Sequence, residues 1–202
     1  MIVAMSGSTR PELPDRLCLP VTFAPAPLVR DLEGLADDEW IAHFVTSNYE
    51  GHWTVIPLRG PAGARHPVRM MYSDPTARSF EDTPVLGRVP AIRRVLEAFA
   101  CPLQSVRLMR LAPGSLIKEH RDHDLGFEYG TVRIHVPITT NPAVDFRLNR
   151  VPLVMAPGSV WYLRLSDPHS VSNSGHTDRV HLVIDAAAND WLADLLRRAM
   201  PV

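Results

Sequence analysis

The chemistry in this sequence is concentrated in a few residues of its second half. The stretch KEHRDHD, residues 118–124, crowds His120, Asp122, His123 and Asp124 into a chain that is 46% hydrophobic and 21% charged. His120 and Asp122 stand two apart, so on extended backbone their side chains leave the same face and can chelate one divalent ion. Asp124 shares that face and is the rival carboxylate, while His123 points the other way; Asp122 is preferred for its closer spacing to His120. An HxD pair alone arises by chance in surface loops, so a metal centre needs a further donor. His169, in LSDPHSVSNSG, is the candidate. Together the three form a two-histidine, one-carboxylate face, the set that suits Fe(II) and leaves coordination positions open for substrate and O2.

Cationic groups accompany the triad. Arg179 follows His169 by ten positions, and a strand entering there aims a guanidinium at a carboxylate held near the metal. Arginine suits that task because its planar fork grips both carboxylate oxygens and stays charged at every working pH. In TVRIHVPIT, alternation places Val132, Ile134, Val136 and Ile138 on one face and Arg133 and His135 on the other. The stretch DRVHLVIDA repeats the pattern, with Val180, Leu182 and Ile184 opposite Arg179 and His181. Arg133 and His135 are therefore candidates for a second carboxylate, nearer the metal. Read singly, each polar face would meet water and His135 would be a core histidine; the two strands and HRDHD together favour a site. His181, His123 and His176 are read as supporting or structural groups. His43, His52 and His66 have no partner pattern.

The elements that must position these residues are mostly strands. Period-two stretches run from residue 104 to 186: SVRLMRLA, TVRIHVPIT, VDFRLN, PLVMA, SVWYLRL and DRVHLVIDA. Short turns such as APGS and NSGHTD join them, which favours antiparallel pairing over a parallel sheet. Helical spacing occurs over residues 28–45, 91–100 and 189–200, the last with Asn189 able to cap its start. The expected fold is mainly β, a double-stranded β-helix (jelly-roll, cupin-like barrel) with flanking helices. Residues 1–20 read as a flexible N-terminal arm and residues 21–202 as a single domain.

Bulk properties narrow the partners. With 21 basic and 22 acidic residues, the net charge of −1 provides no field to recruit nucleic acid or anionic membrane. The opening residues have neither a basic n-region nor a long apolar run, so no signal peptide or membrane anchor is expected. Two cysteines, Cys18 and Cys101, without CxxC spacing fit a reducing cytoplasm.

The run LMRLAPGSLIKEHRDHDLGFEYGTVRIHVPI through WYLRLSDPHSVSNSGHTDRVHLVIDAAANDWL resembles the bacterial aspartyl/asparaginyl β-hydroxylases, a family of Fe(II)/2-oxoglutarate-dependent oxygenases. YEGHWTVIPLRG resembles the family's N-terminal portion, so the likeness spans about residues 40–192. It implies iron on His120, Asp122 and His169, and 2-oxoglutarate on Arg133, His135 and Arg179. It also implies hydroxylation of an amino-acid-like substrate, coupled to decarboxylation of 2-oxoglutarate to succinate. Some members lack the carboxylate ligand and have a serine in the preceding strand that assists the co-substrate; this chain keeps Asp122 and has Met109 at that place. The substrate implied is a free amino acid, a carrier-tethered one, or an aspartyl or asparaginyl residue. Two rival readings remain open from sequence: a non-redox metal-binding cupin, such as an isomerase or a small-molecule binding protein, and a metal-free interaction module.

Overall fold

The computed structural model describes residues 13–201 except 73 and 75. Fourteen strands are described: β1 (Arg16–Thr22), β2 (Ile41–Ala42), β3 (Tyr49–Glu50), β4 (Trp53–Pro61), β5 (Phe80–Asp82), β6 (Leu103–Leu111), β7 (Ser115–His120), β8 (Thr131–Thr139), β9 (Val144–Leu148), β10 (Val151–Pro152), β11 (Ser159–Leu163), β12 (His169–Asn173), β13 (Arg179–Ala187) and β14 (Met200–Pro201). They form two antiparallel sheets. The larger runs β14-β1-β11-β8-β13-β6-β4-β2, with β5 also on β4; the smaller runs β10-β9-β12-β7-β3. Neighbours in the sheets are rarely neighbours in sequence, the signature of a jelly roll, and the two sheets make the double-stranded β-helix expected from the sequence.

Alternation in the large sheet sorts its side chains into two layers. Of the helices α1 (Pro25–Glu33), α2 (Pro67–Met71), α3 (Pro90–Glu97) and α4 (Asp190–Arg197), the first and the last two close a core into which Val132, Ile134, Val136, Ile138, Val180, Leu182 and Ile184 face outward, contributing Leu28, Ile92, Val95, Leu192 and Leu196. A second apolar cluster fills part of the space between the sheets, with Val55, Met109, Leu111, Leu163 and Val183 from one sheet meeting Ile117, Phe146, Leu148 and Val171 from the other. The rest of that space is the cavity described below. Asn189 accepts from the Leu192 amide at the start of α4, as expected. The start of α3 is capped across the fold instead, by the Asp31 carboxylate of α1 accepting from the Ile92 amide at 2.8 Å.

Three expectations shift in detail. Helical spacing over residues 28–45 yields a helix only to Glu33; Gly34 ends it, and Ile41–Ala42 pairs with β4 instead. Most of PLVMA is an irregular segment, with only Val151–Pro152 in a strand, although Leu153 and Met155 are buried. Residues 1–12 of the expected arm lie outside the described residues. Its end is not an arm, because residues 16–20 belong to β1, paired with β11 and β14. Leu17 and Leu19, only 1% and 2% exposed, supply the reason: apolar side chains leaving water here anchor the strand in the outer core. Among the described residues, no helix is long and apolar enough to cross a membrane.

Candidate functional site

His120 ends β7 and His169 begins β12, directly opposite each other in the pairing of those strands. An extra residue in β7 between Ile117 and His120 breaks the alternation, so that both side chains, three positions apart, face the interior. The chain leaves the strand after His120. Asp122 is placed not by extended alternation but by its amide donating to Leu165 O at 2.8 Å, and Asp124 takes a left-handed conformation with φ 60°. His120, Asp122 and His169 nevertheless each present a ligand atom, all within 4.8 Å of one another. Asp124 and His123 are outside this group.

Each imidazole is oriented for a metal. His120 Nδ1 lies 2.7 Å from Lys118 O and His169 Nδ1 lies 3.0 Å from Asp167 O. A carbonyl partner requires Nδ1 to carry the proton, which leaves both Nε2 lone pairs for coordination. Burial pushes His169 down to about 4, so it is neutral at pH 7. Burial works to raise the Asp122 carboxyl, but Arg133, with His169, His120 and Arg107 behind it, outweighs that and holds it below the usual carboxylate range. Two imidazole nitrogens and one carboxylate are the donor set a divalent first-row ion takes. The residues present fit the metal.

Behind the triad lies a chain of buried charges. Asp185, fully buried, accepts from Arg133 Nε at 2.6 Å, Arg133 Nη2 at 2.9 Å and Arg107 Nη1 at 2.9 Å. Arg133 Nη1 goes to Asp122. The register explains this: Arg133 and Asp185 are direct partners across β8 and β13, and Arg107 sits beside Val183 on the next strand. Arg133 thus grips the Asp122 carboxylate and a buried aspartate, a different use of its guanidinium from the co-substrate contact expected for it.

Arg179 has the opposite character. It is 3% exposed, its Nη2 donates to His181 Nδ1 at 2.9 Å, and its Nε is buried without a hydrogen-bond partner. Among the described residues no carboxylate pairs with it. Burial pushes it down to about 9, which leaves it cationic at neutral pH. His135 Nδ1 lies 3.2 Å from His181 Nδ1, and His135 Nε2 is likewise buried without a partner. Burial, reinforced by Arg179, pushes both histidines well below their usual value, so both are neutral.

All of these groups except Asp185 and His181 line one cavity of about 700 Å³. Its wall is aromatic: His43 stacks on Trp53 with centroids 3.6 Å apart, Phe44 lies against His43 at 4.9 Å, and Tyr72 meets Phe44 edge-on. Met109 lines the cavity too. Sequence reasoning missed His43, Arg107 and Asp185. For Arg107 and Asp185 a signal existed, since they continue the inward period of Met109 and of Arg179 and His181. His43 had none, because its place depends on a two-residue strand and on Trp53.

The family model for aspartyl/asparaginyl β-hydroxylase matches residues 28–188. The chain belongs to that family. Among curated proteins it is similar to L-proline cis-4-hydroxylase of Rhizobium meliloti (strain 1021), 26% identical over 180 residues that make up 88% of this chain and 62% of that protein. The chain therefore spans less than two thirds of that relative's length. Among solved structures it resembles a 2OG-Fe(II) oxygenase family protein from Burkholderia pseudomallei (TM-score 0.52, 15% identical, 80% of this chain and 77% of the other). It also resembles the viral collagen prolyl hydroxylase of Paramecium Bursaria Chlorella virus-1 (TM-score 0.50, 8% identical, 90% and 100%). At such identities the two structures speak to the fold alone, which is the family's barrel.

Proposed function

We propose that this protein is an Fe(II)- and 2-oxoglutarate-dependent hydroxylase of an amino-acid-like substrate. The observation that carries the reading is Arg179: a buried guanidinium with no carboxylate partner among the described residues, in the same cavity as a His-Asp-His triad. A buried charge without a counter-ion is unfavourable, and the far carboxylate of a 2-oxo diacid would supply one.

In this reading His120, Asp122 and His169 hold the iron, and Arg133 keeps Asp122 ionised and oriented. Once bound, the iron supplies oxidative decarboxylation of the 2-oxo acid with O2 and insertion of oxygen into a C–H bond. The protein's residues bind, orient and exclude water. Arg179 leaves His181 for the co-substrate carboxylate. His181 Nδ1 is then able to carry its proton and donate to His135 Nδ1, and His135 presents Nε2–H to the second carboxylate. Each imidazole keeps one proton throughout, as its burial requires. Arg107, buried but lining the cavity, is placed to take the carboxylate of the amino-acid substrate, whose apolar body lies against Trp53, His43 and Phe44. The similarity to a proline hydroxylase supports a small cyclic or aliphatic amino acid.

The test is anaerobic addition of Fe(II) and 2-oxoglutarate, followed by the visible charge-transfer absorption. The band is expected in wild type and absent from His169→Ala. Succinate release is then screened against free amino acids, L-proline among them. No band in wild type would refute the oxygenase reading and leave a non-redox metal cupin in its place.

A further inference from the structure

The segment between β11 and β12 supplies backbone carbonyls that hold two of the three proposed ligands. Leu165 O accepts from the Asp122 amide, and Asp167 O accepts from His169 Nδ1. Arg121 Nη1 donates to Ser166 O and the Ser166 amide to Leu125 O, but the stretch next to His169, Asp167 and Pro168, is held by a residue distant in sequence, Asn149 of the β9–β10 turn. Its amide N–H donates to Pro168 O at 2.8 Å, and its side-chain Nδ2 donates to Asp167 Oδ2 at 2.9 Å and to Asp15 Oδ2 at 2.8 Å. Asp167 is held from the other side by Arg164 Nε at 3.0 Å. Asp15 is held by Arg16 Nε and Nη2 at 2.9 and 2.6 Å, and Arg16 Nη2 returns to Leu148 O, the neighbour of Asn149. The ring of contacts is closed. None of Asp15, Asn149, Arg164 and Asp167 lines the cavity.

We infer that Asn149 is a positioning residue for the metal centre, fixing His169 through Asp167 and Pro168. This rests on reading His120, Asp122 and His169 as the metal site. The turn explains part of the choice of residue. Asn149 and Arg150 both have positive φ, 51° and 65°, as a two-residue hairpin between Leu148 and Val151 requires, and asparagine tolerates that conformation. Glycine would meet the same requirement. The amide is therefore surplus to the turn, and both of its protons go to carboxylates beside the metal-ligand loop. Outer partners of this kind set the orientation of a histidine ligand, and their loss typically lowers metal affinity about 10- to 100-fold.

The experiment titrates metal-free full-length protein with Mn(II), reading free Mn(II) by electron paramagnetic resonance, alongside thermal unfolding of the same samples. Asn149→Gly keeps the backbone conformation and removes the amide. Its Mn(II) dissociation constant is expected to rise about tenfold, while the metal-free thermal midpoint stays within about 4 °C of wild type. Asn149→Asp, which sets a third carboxylate against Asp15 and Asp167, is expected to weaken binding further. If Asn149→Gly fails to fold, Asp167→Ala, outside the turn, removes the carboxylate that Asn149 grips while keeping the carbonyl that faces His169, and carries the same expected rise. Wild-type affinity in folded Asn149→Gly would overturn the inference while leaving the metal site intact; absence of Mn(II) binding in wild type itself would overturn the metal reading and the inference with it.

Discussion

The two faces of β8 and β13 are built from the same strands and differ in almost everything else. Outward, Val132, Ile134, Val136, Val180, Leu182 and Ile184 pack against helices. Inward, Arg133, His135, Arg179, His181 and Asp185 are just as buried, yet charged or polar. The outer face is held by non-directional burial, which tolerates changes of shape if volume is kept. The inner face is held by pairing, where each group depends on a named partner: Asp185 on Arg133 and Arg107, Asp122 on Arg133. Arg179 and His135 Nε2 depart from that rule, and they face the cavity. Incomplete pairing in an otherwise paired layer marks where a ligand belongs.

Substitutions can break or sharpen this contrast. Asp185→Ala leaves Arg133 and Arg107 buried around a vacated site, and urea unfolding should show a loss of about 3–5 kcal/mol. A loss below about 1 kcal/mol, the scale of an exposed ion pair, would mean that the inner face is as forgiving as the outer one. Arg179→Met should act in the opposite direction on the ligand-free protein. It removes a buried charge that has no counter-ion, so stability rises by about 1–3 kcal/mol, while the thermal stabilisation conferred by 2-oxoglutarate with Mn(II) disappears. Equal co-substrate stabilisation in wild type and variant would refute the role of Arg179.

Acidification tests the neutral histidines. His169 is depressed to about 4 in the fold, against about 6.5 when unfolded. Above pH 6.5 it is neutral in both states. Below that the unfolded chain takes up the proton first, so stability of metal-free protein falls as pH drops from about 6.5 to 4, by at most about 1.4 kcal/mol per pH unit for this group. His169→Asn should flatten the profile over that window, and an unchanged slope would contradict the burial argument. The smallest effect is expected on the outer face: Ile134→Val should cost about 0.5–1.5 kcal/mol with Mn(II) affinity unaltered. A change in affinity there would show that the two faces are coupled.

Much of this contrast was legible in the chain. Alternation in TVRIHVPIT and DRVHLVIDA assigned both faces correctly, because a strand has only two sides and each sequence position belongs to one. The capping role of Asn189 was equally local. The first helix was read too long because its apolar spacing continues past Gly34 into residues that pair with β4, a choice made by a strand over ten positions away. Residues 16–20 of β1 were read as the end of an arm, because the place of the strand depends on β11 and β14 being there to receive it.

By itself, then, the sequence determined the barrel class, the inward placement of Arg133, His135 and Arg179, and the candidacy of His120, Asp122 and His169 by residue type, since residue type and period are local properties. Only the tertiary structure decided the partners. Arg133 faces Asp185 because of the β8–β13 register; His120 turns inward because β7 holds an extra residue; Asn149 clasps the loop before His169 because β9 and β12 are adjacent. Partner choice follows from which strands lie side by side, and that is settled by the packing of the whole chain.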